Sequence, residues 1–175
     1  MVKTQTLIWR IVLGALVLLL VASIFVGLRV LRRLPNTVVY FVKSEDTHFV
    51  LEPVFRSYPK GQELTSALED LIRAPNSRET TKNLFSALPA QTQIINLKTE
   101  GDRVTVNFSK DFIKEDGLAS HQSRLNQVWY TLSQPKDFNS VSILIEGQPL
   151  TMLGGEGLIV ENPWIRNDKE VLPEW

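Results

Sequence analysis

Between Arg10 and Arg29 the sequence runs for eighteen residues, Ile11 to Leu28 (IVLGALVLLLVASIFVGL), without one charged side chain. A helix rises about 1.5 Å per residue and a bilayer's hydrocarbon core is roughly 30 Å thick, so this run is near the minimum for a crossing helix. Leu7, Ile8, Trp9 and Val30 lengthen it if the two arginines snorkel. Trp9 falls where an amphipathic ring favours the membrane–water interface. The rival reading is a cleavable signal peptide ending near Val21-Ala22-Ser23, but the apolar run continues through Ile24, Phe25 and Val26. An uncleaved anchor is the expectation, with a transmembrane helix over residues 11–28 inside an N-terminal segment 1–35, a domain over 36–170, and a tail 171–175.

Lys3 and Arg10 precede the span and Arg29, Arg32 and Arg33 follow it, so the positive-inside rule is nearly balanced. A short amino flank is easily retained in the cytoplasm, and a long following domain is translocated largely regardless of charge. The expected topology is single-pass in the cell membrane, with the C-terminal domain extracytoplasmic. Ser23 and Gly27 make a small-xxx-small pair, whose plainer reading is two small residues in a Leu/Val-rich helix.

The 175 residues hold 19 Lys+Arg and 19 Asp+Glu, a balance that hides an asymmetry. The first 35 residues carry five basic side chains and no acidic one, leaving 14 basic against 19 acidic, a net −5, from Asn36 onward. A mildly acidic body without a basic cluster is a poor partner for nucleic acid. The length suits one domain of ordinary size. There is no cysteine, which excludes disulfides, thiolate metal sites, a thiol nucleophile and a lipid-modified cysteine in this chain.

After Pro35, Thr37–Lys43 (TVVYFVK) is apolar at nearly every position, as in a central strand covered on both faces. Phe49–Arg56 reads as its hairpin partner, and Pro53 assigns it to a sheet edge or a bulge. Leu64, Ala67, Leu68, Leu71 and Ile72 fall on one helical stripe that ends before Ala74-Pro75. Residues 76–86 predict an irregular or short helical connection. Gln93–Lys98 and Arg103–Phe108 flank the turn Thr99–Asp102 as a second hairpin, and Leu125, Val128, Trp129 and Leu132 mark a second amphipathic helix, stopped by Pro135. Ser140–Glu146 predicts a further strand, and the turn-rich segment from Gly154 onward wraps the domain. The expected fold is α+β: one mostly antiparallel sheet with two amphipathic helices on one face, an α/β sandwich.

Chemistry is sparse. The two histidines, His48 and His121, share no metal-ligand spacing and read as surface or capping residues. Ser120 and His121 are sequence neighbours, a poor arrangement for nucleophile and base. The carboxylate pairs Glu69-Asp70 and Glu115-Asp116 read as solvated surface rather than as an acid/base pair across a glycan cleft. Gly154-Gly155-Glu156-Gly157 lacks the Lys-Ser/Thr of a phosphate loop and reads as tight turns with positive φ. Asn107-Phe108-Ser109 formally matches a glycosylation acceptor at a strand end. No catalytic residue, cofactor site or metal site is expected. Tyr130, off the stripe of the second helix, and Trp164, in the loop-rich tail, are the candidate interaction residues, on the expectation that both face solvent, as does Trp175.

The order VVYFV, an ALEDLI helix ending at AP, LFSALP, VTVNFSKDF, NQVWYTLSQ, VSILIEGQPL and LGGEGL resembles the GerMN domain, the module of the sporulation and spore germination family. The resemblance covers about Thr37 to Asp168, and its most specific parts are Ser86-Ala87-Leu88-Pro89, Asn126–Leu132 and Ile145-Glu146-Gly147-Gln148-Pro149. It implies an α/β module without enzymatic activity at the outer face of a bacterial cytoplasmic membrane, in envelope-spanning assemblies, with a fold similar to the ring-building modules of secretion-type channels. Here there is one such domain where some members have two, and an apolar helix where many have a lipidated cysteine. The resemblance therefore implies a non-catalytic assembly module whose partner is another envelope protein or its own copies. A peptidoglycan or glycan-binding module is the alternative, and a cell-wall hydrolase a third.

Overall fold

The computed structural model describes residues 2–31, 34–46, 48–114, 116–133, 138–155 and 157–166. Pro135, Glu115, Trp175 and the tail 171–175, each singled out from the sequence, lie outside them. The chain forms two compact units, Met1–Leu34 and Pro35–Trp175.

The first unit is one helix, α1 (Val2–Leu31). Its side chains from Leu13 to Gly27 are exposed on every side, as follows for a segment with no polar face to oppose an apolar one. Among the described residues no helix is long and apolar enough to cross a membrane. Within α1 the described side chains are Trp9 and residues 13–27, a shorter stretch than the uncharged run of the sequence.

The second unit opens with the hairpin of β1 (Thr37–Ser44) and β2 (Phe49–Arg56). β1 is buried from Val39 to Val42 and lies between β2 and the two-residue β3 (Leu84–Phe85), a central strand as its composition predicts. β2 is the sheet edge, with Pro53 exposed opposite Tyr40. Helix α2 (Glu63–Arg73) buries Leu64, Ala67, Leu68 and Leu71 and stops at Ala74, whose φ of 72° has left the helical region ahead of Pro75. The connection that follows contains the short α3 (Ser77–Thr80), started by a capping box in which Asn76 and Glu79 bond each other's backbone N–H.

The second sheet is built from β4 (Ile94–Glu100), β5 (Arg103–Phe108), β6 (Ser140–Ile145), β7 (Gln148–Pro149) and β10 (Trp164–Ile165), with β6 between β5 and β10. A separate small hairpin pairs β8 (Met152–Leu153) with β9 (Leu158–Ile159). Pairing is antiparallel except between β5 and β6, where Val104 meets Val141 and Val106 meets Ile143 in parallel. The expectation of a single sheet is thus corrected to two principal sheets with one parallel pair. The cause is α4 (Leu118–Leu132), which forms the crossover from β5 to β6: a helical crossover brings the chain back to the end where β5 began, so the strands it joins run the same way.

The core joins α2 and α4 to β1, β5 and β6, and Phe108 stacks on Phe112 from the 3-10 turn Lys110–Ile113 at 4.6 Å. α4 is the most enclosed element. Its predicted stripe, Leu125, Val128, Trp129 and Leu132, is buried, but so is every residue from Arg124 to Leu132.

Candidate functional site

Covering α4 on all sides takes polar side chains out of water, and a buried polar group costs free energy unless it is hydrogen-bonded. The helix answers with its own backbone neighbours. Gln127 accepts from the N–H of Ala87 (2.7 Å) and donates to the carbonyl of Tyr40 (3.1 Å). Thr131 Oγ1 accepts from the N–H of Tyr40 (3.0 Å), and Arg124 Nε donates to the carbonyl of Ala87 (3.0 Å). Arg124, 1% exposed, also donates through Nη1 to the carbonyls of Phe112 and Lys114 and lies over the Phe112 ring at 5.8 Å. Ala87 and Tyr40 therefore have both backbone polar groups satisfied by side chains of one helix. β3 pairs with β1 only at Val42 and Lys43, and beyond that point the Gln127 amide stands between the two segments as a peptide group would.

This bridge explains Pro53. The N–H and C=O of a strand residue point the same way, and those of Tyr40 both point to α4. On the β2 side the Tyr40–Pro53 pair is therefore a non-hydrogen-bonded one, and the proline nitrogen faces the open edge, where a missing N–H costs no ladder bond.

Tyr130 and Trp164 are where the structure departs most from the sequence reading. Both are buried, 6% and 8% exposed, so the expectation that they face solvent is corrected. Trp164 stacks on Trp129 at 5.4 Å and meets Tyr130 at 5.3 Å, Tyr130 meets Tyr40 edge-on at 5.9 Å, and Arg166 lies over the Tyr130 ring at 5.7 Å. Tyr130 lies off the apolar stripe but faces a β1 residue on one side and the C-terminal strand β10 on the other. That strand pairs with β6 through Trp164 and Val141, which also makes the described part of the tail a covering segment, as its turn-rich sequence suggests.

His121 is likewise no surface residue: it is 1% exposed, and neither ring nitrogen has a hydrogen-bond partner. His48 is partly exposed, 3.5 Å from Glu45. Ser120 donates to Asp116, as does the N–H of Gly117, so this serine is not paired with the neighbouring histidine. Asp70 accepts from Arg56 (3.1 Å), Tyr58 (2.6 Å) and Arg73 (2.7 Å), and Arg56 also bonds Glu79 (2.6 Å). This network ties β2 to α2 and α3. Burial, and then the bond to Asp70, raise the Tyr58 hydroxyl above its ordinary value and keep it neutral. Asn107, the formal glycosylation acceptor, accepts from the N–H of Gly147 (2.9 Å). Among the described residues no three His, Cys, Asp or Glu side chains gather where they could hold a metal ion.

Among the described residues a mixed cleft of about 490 Å³ is lined by Asn36, Thr37, Glu63, Thr65 and Thr99 on its polar side and by Leu64, Leu97 and Phe138 on its apolar one. Sequence patterning did not single it out, because its lining comes from four separate stretches of chain. Isolated apolar side chains stand exposed on the second unit as well, chiefly Ile159, Phe55 and Met152.

One solved structure similar in fold is that of the tandem GerMN domains of the sporulation protein GerM from Bacillus subtilis, at 22% identity and a TM-score of 0.57, covering 73% of this chain. This chain spans 44% of that tandem protein, less than half its length. The first GerMN domain of the same protein aligns at 20% identity and a TM-score of 0.61 over 75% of this chain and 98% of its own. A putative lipoprotein from Clostridium perfringens aligns at 22% identity and a TM-score of 0.50 over 70% of this chain and 83% of its own. No curated protein matches the sequence. The Germane family profile, described as sporulation and spore germination, matches residues 38–151, from β1 through the Gln127 bridge to the edge of β8. The chain belongs to the Germane family of sporulation and spore germination proteins.

Proposed function

We propose that this protein is a non-catalytic envelope component of sporulation or germination, anchored in the cytoplasmic membrane by α1, whose second unit holds another envelope protein or further copies of itself in an assembly. The observation that carries the reading is the use made of the buried polar groups. Gln127, Arg124 and Thr131, which would be candidates for chemistry in an enzyme, have hydrogen bonds to the backbone of β1, of the Ser86–Pro89 segment and, for Arg124, of Phe112 and Lys114. Such a domain is a rigid presenting surface, and the family description supports the process in which it works. Anchoring is supported by the uncharged run Ile11–Leu28 within a thirty-residue helix that has no polar face over its described length. At about 1.5 Å per residue a helix of that length exceeds a hydrocarbon core of roughly 30 Å.

The anchor is tested by washing membranes with alkaline carbonate: the protein is expected to stay in the pellet, and release into the supernatant would contradict it. Protease added outside intact spheroplasts is expected to digest the second unit.

A saccharide-binding reading is favoured by a different observation, the cleft that sets hydroxyl and amide side chains beside Phe138, the mixture of hydrogen bonding and ring contact that sugars require. It replaces Trp164, which is buried, as the aromatic platform for peptidoglycan. Under this reading the protein co-sediments with purified cell wall and Phe138→Ala abolishes that binding; the assembly reading predicts no such co-sedimentation.

A further inference from the structure

The two principal sheets end on edges of different character. Along β2 the open side carries the nitrogen of Pro53, which has no N–H to offer a further strand. Along β4 there is no proline, and no strand among the described residues pairs with its outer side. Which of its backbone groups face outward follows from the ladder. The N–H of Ser140 donates to the carbonyl of Asp102, so Asp102, Val104 and Val106 turn their backbone groups to β6, while Arg103, Thr105 and Asn107 turn theirs to β4. Glu100, Lys98 and Asn96, opposite those three, bond inward, and Leu97 and Thr99 point their N–H and C=O groups to the open side. Residues 98–101 are exposed, whereas a bulge between Ile94 and Asn96 disturbs the other end of the strand.

We propose that residues 97–101, at the end of β4, pair antiparallel with the same segment of a second copy of this chain, about a two-fold axis at Thr99. The proposal rests on the assembly reading above and names the contact between copies. Hydrogen-bonded pairs across such a seam must match outward residue with outward residue, which leaves few registers. A two-fold at Lys98 sets Lys98 against Lys98, and one at Glu100 sets Glu100 against Glu100, both opposed by like charge. A two-fold at Leu97 sets Lys98 against Asn96 and Glu100 against Ile94, and it runs through the bulge. At Thr99 each Lys98 meets Glu100 of the other copy, in the non-hydrogen-bonded pairs where side chains lie closest. Neither Lys98 nor Glu100 enters an ion pair among the described residues. Glu100 has Arg103 opposite it in its own hairpin, so charge alternates across the seam from Arg103 to Glu100 to Lys98 of the second copy. On the other face Thr99 meets Thr99, and Leu97 meets Gly101, whose surroundings are open and which has no side chain to crowd it. The two charges thus guard the edge against the wrong registers and favour one. Because the same patch serves both copies, the contact closes as a dimer.

The chain has no cysteine, so single cysteines report the contact without background. The test is disulfide formation under mild oxidation, in membrane preparations of cells producing the full chain. Residues directly opposite in a hydrogen-bonded pair lie about 5.5 Å apart at Cα, within disulfide reach, and each of the other registers takes the two Thr99 positions out of it. Thr99→Cys is expected to give a disulfide-linked dimer in several-fold greater yield than Phe55→Cys, which is well exposed on the β2 edge and measures random collision. In the Thr99→Cys background, Lys98→Glu is expected to lower the yield by roughly fivefold, as two attractive pairs become repulsive, and adding Glu100→Lys restores it. That restoration separates a charge match from a folding defect. A Thr99→Cys yield no greater than that of Phe55→Cys, a yield indifferent to the sign at position 98, or a loss that the double reversal does not restore overturns the proposal. Amine cross-linking of the same membranes separates this from the wider reading: protein partners captured there while Thr99→Cys fails put the association on another surface, and capture of no protein at all takes the assembly reading with it.

Discussion

Gln127 shows what a single side chain contributes to this fold. Its amide joins Ala87 to Tyr40, two segments 47 residues apart in sequence, at a place where no strand continues the ladder. Gln127→Leu keeps the volume and removes both bonds. Each buried backbone group left unpaired costs roughly 1–3 kcal/mol, so the expected loss of stability for the two is about 2–6 kcal/mol, read from the shift of the urea midpoint. A loss below about 1 kcal/mol would mean that the bridge is incidental. Gly154 constrains the fold by shape instead: Gly154→Ala meets both a positive φ and the His121 ring and is expected to destabilise by about 2 kcal/mol or more. Gly117→Ala, where φ is −66° and the surroundings are open, is the comparison and, as an N-cap position that disfavours alanine, is expected to cost only about 0.5–1 kcal/mol. At this scale the sequence was only partly legible. Apolar spacing located Leu125, Val128, Trp129 and Leu132, but it assigns polar helix residues to solvent, so it could not show Arg124, Gln127 and Thr131 as buried. The same rule turned Tyr130 outward and left His121 on the surface. What encloses all of these is tertiary: strands and a C-terminal segment that close around α4 from several directions.

Among the elements, α4 and the strand that covers it are the most sensitive. Trp164 stacks on Trp129 and touches Tyr130, so Trp164→Ala and Tyr130→Ala are each expected to cost about 3–5 kcal/mol, as truncation of large core aromatics does. Thermal denaturation distinguishes this from a surface role, in which stability would be preserved and only association lost. The start of α4 adds a pH dependence. Asp116 is held below its ordinary carboxylate range, first by the Ser120 hydroxyl, with the Gly117 N–H, Arg124 and His121 adding to it against an opposing effect of desolvation. A lowered folded value contributes stability that is complete above the unfolded carboxylate value of about 4 and is lost as pH falls through the folded one. Asp116→Asn is therefore expected to be less stable than the wild type at neutral pH, with the gap closing below about pH 4; a gap that persists into acid would assign the effect to packing. Element boundaries followed from local rules wherever those rules act locally: Pro75 ending α2, Pro53 marking an edge, Gly101 turning the β4–β5 hairpin. The parallel β5–β6 pair and the division into two sheets did not, because strand pairing is decided by what a helical crossover returns to, and α4's side chains take the place a joining strand would have occupied.

For the whole molecule, a helix whose described side chains form no polar face is joined to an α+β domain of the Germane family, and the account rests on that domain acting by association. Family order was legible in the sequence because its motifs coincide with structural necessities: SALP and NQVWYTL are the two halves of the Gln127 bridge, and IEGQPL is the turn from β6 into β7. Where the proposed association would take place was not legible, since the exposed apolar residues, Phe55 and Ile159 among them, come from separate strands and no local pattern links them. The most direct test is chemical cross-linking of the full-length protein in its native membrane, with mass identification of what is captured. The account predicts links between copies or to one reproducible envelope protein, carried by the second unit. Capture of cell-wall fragments with no protein partner would contradict it.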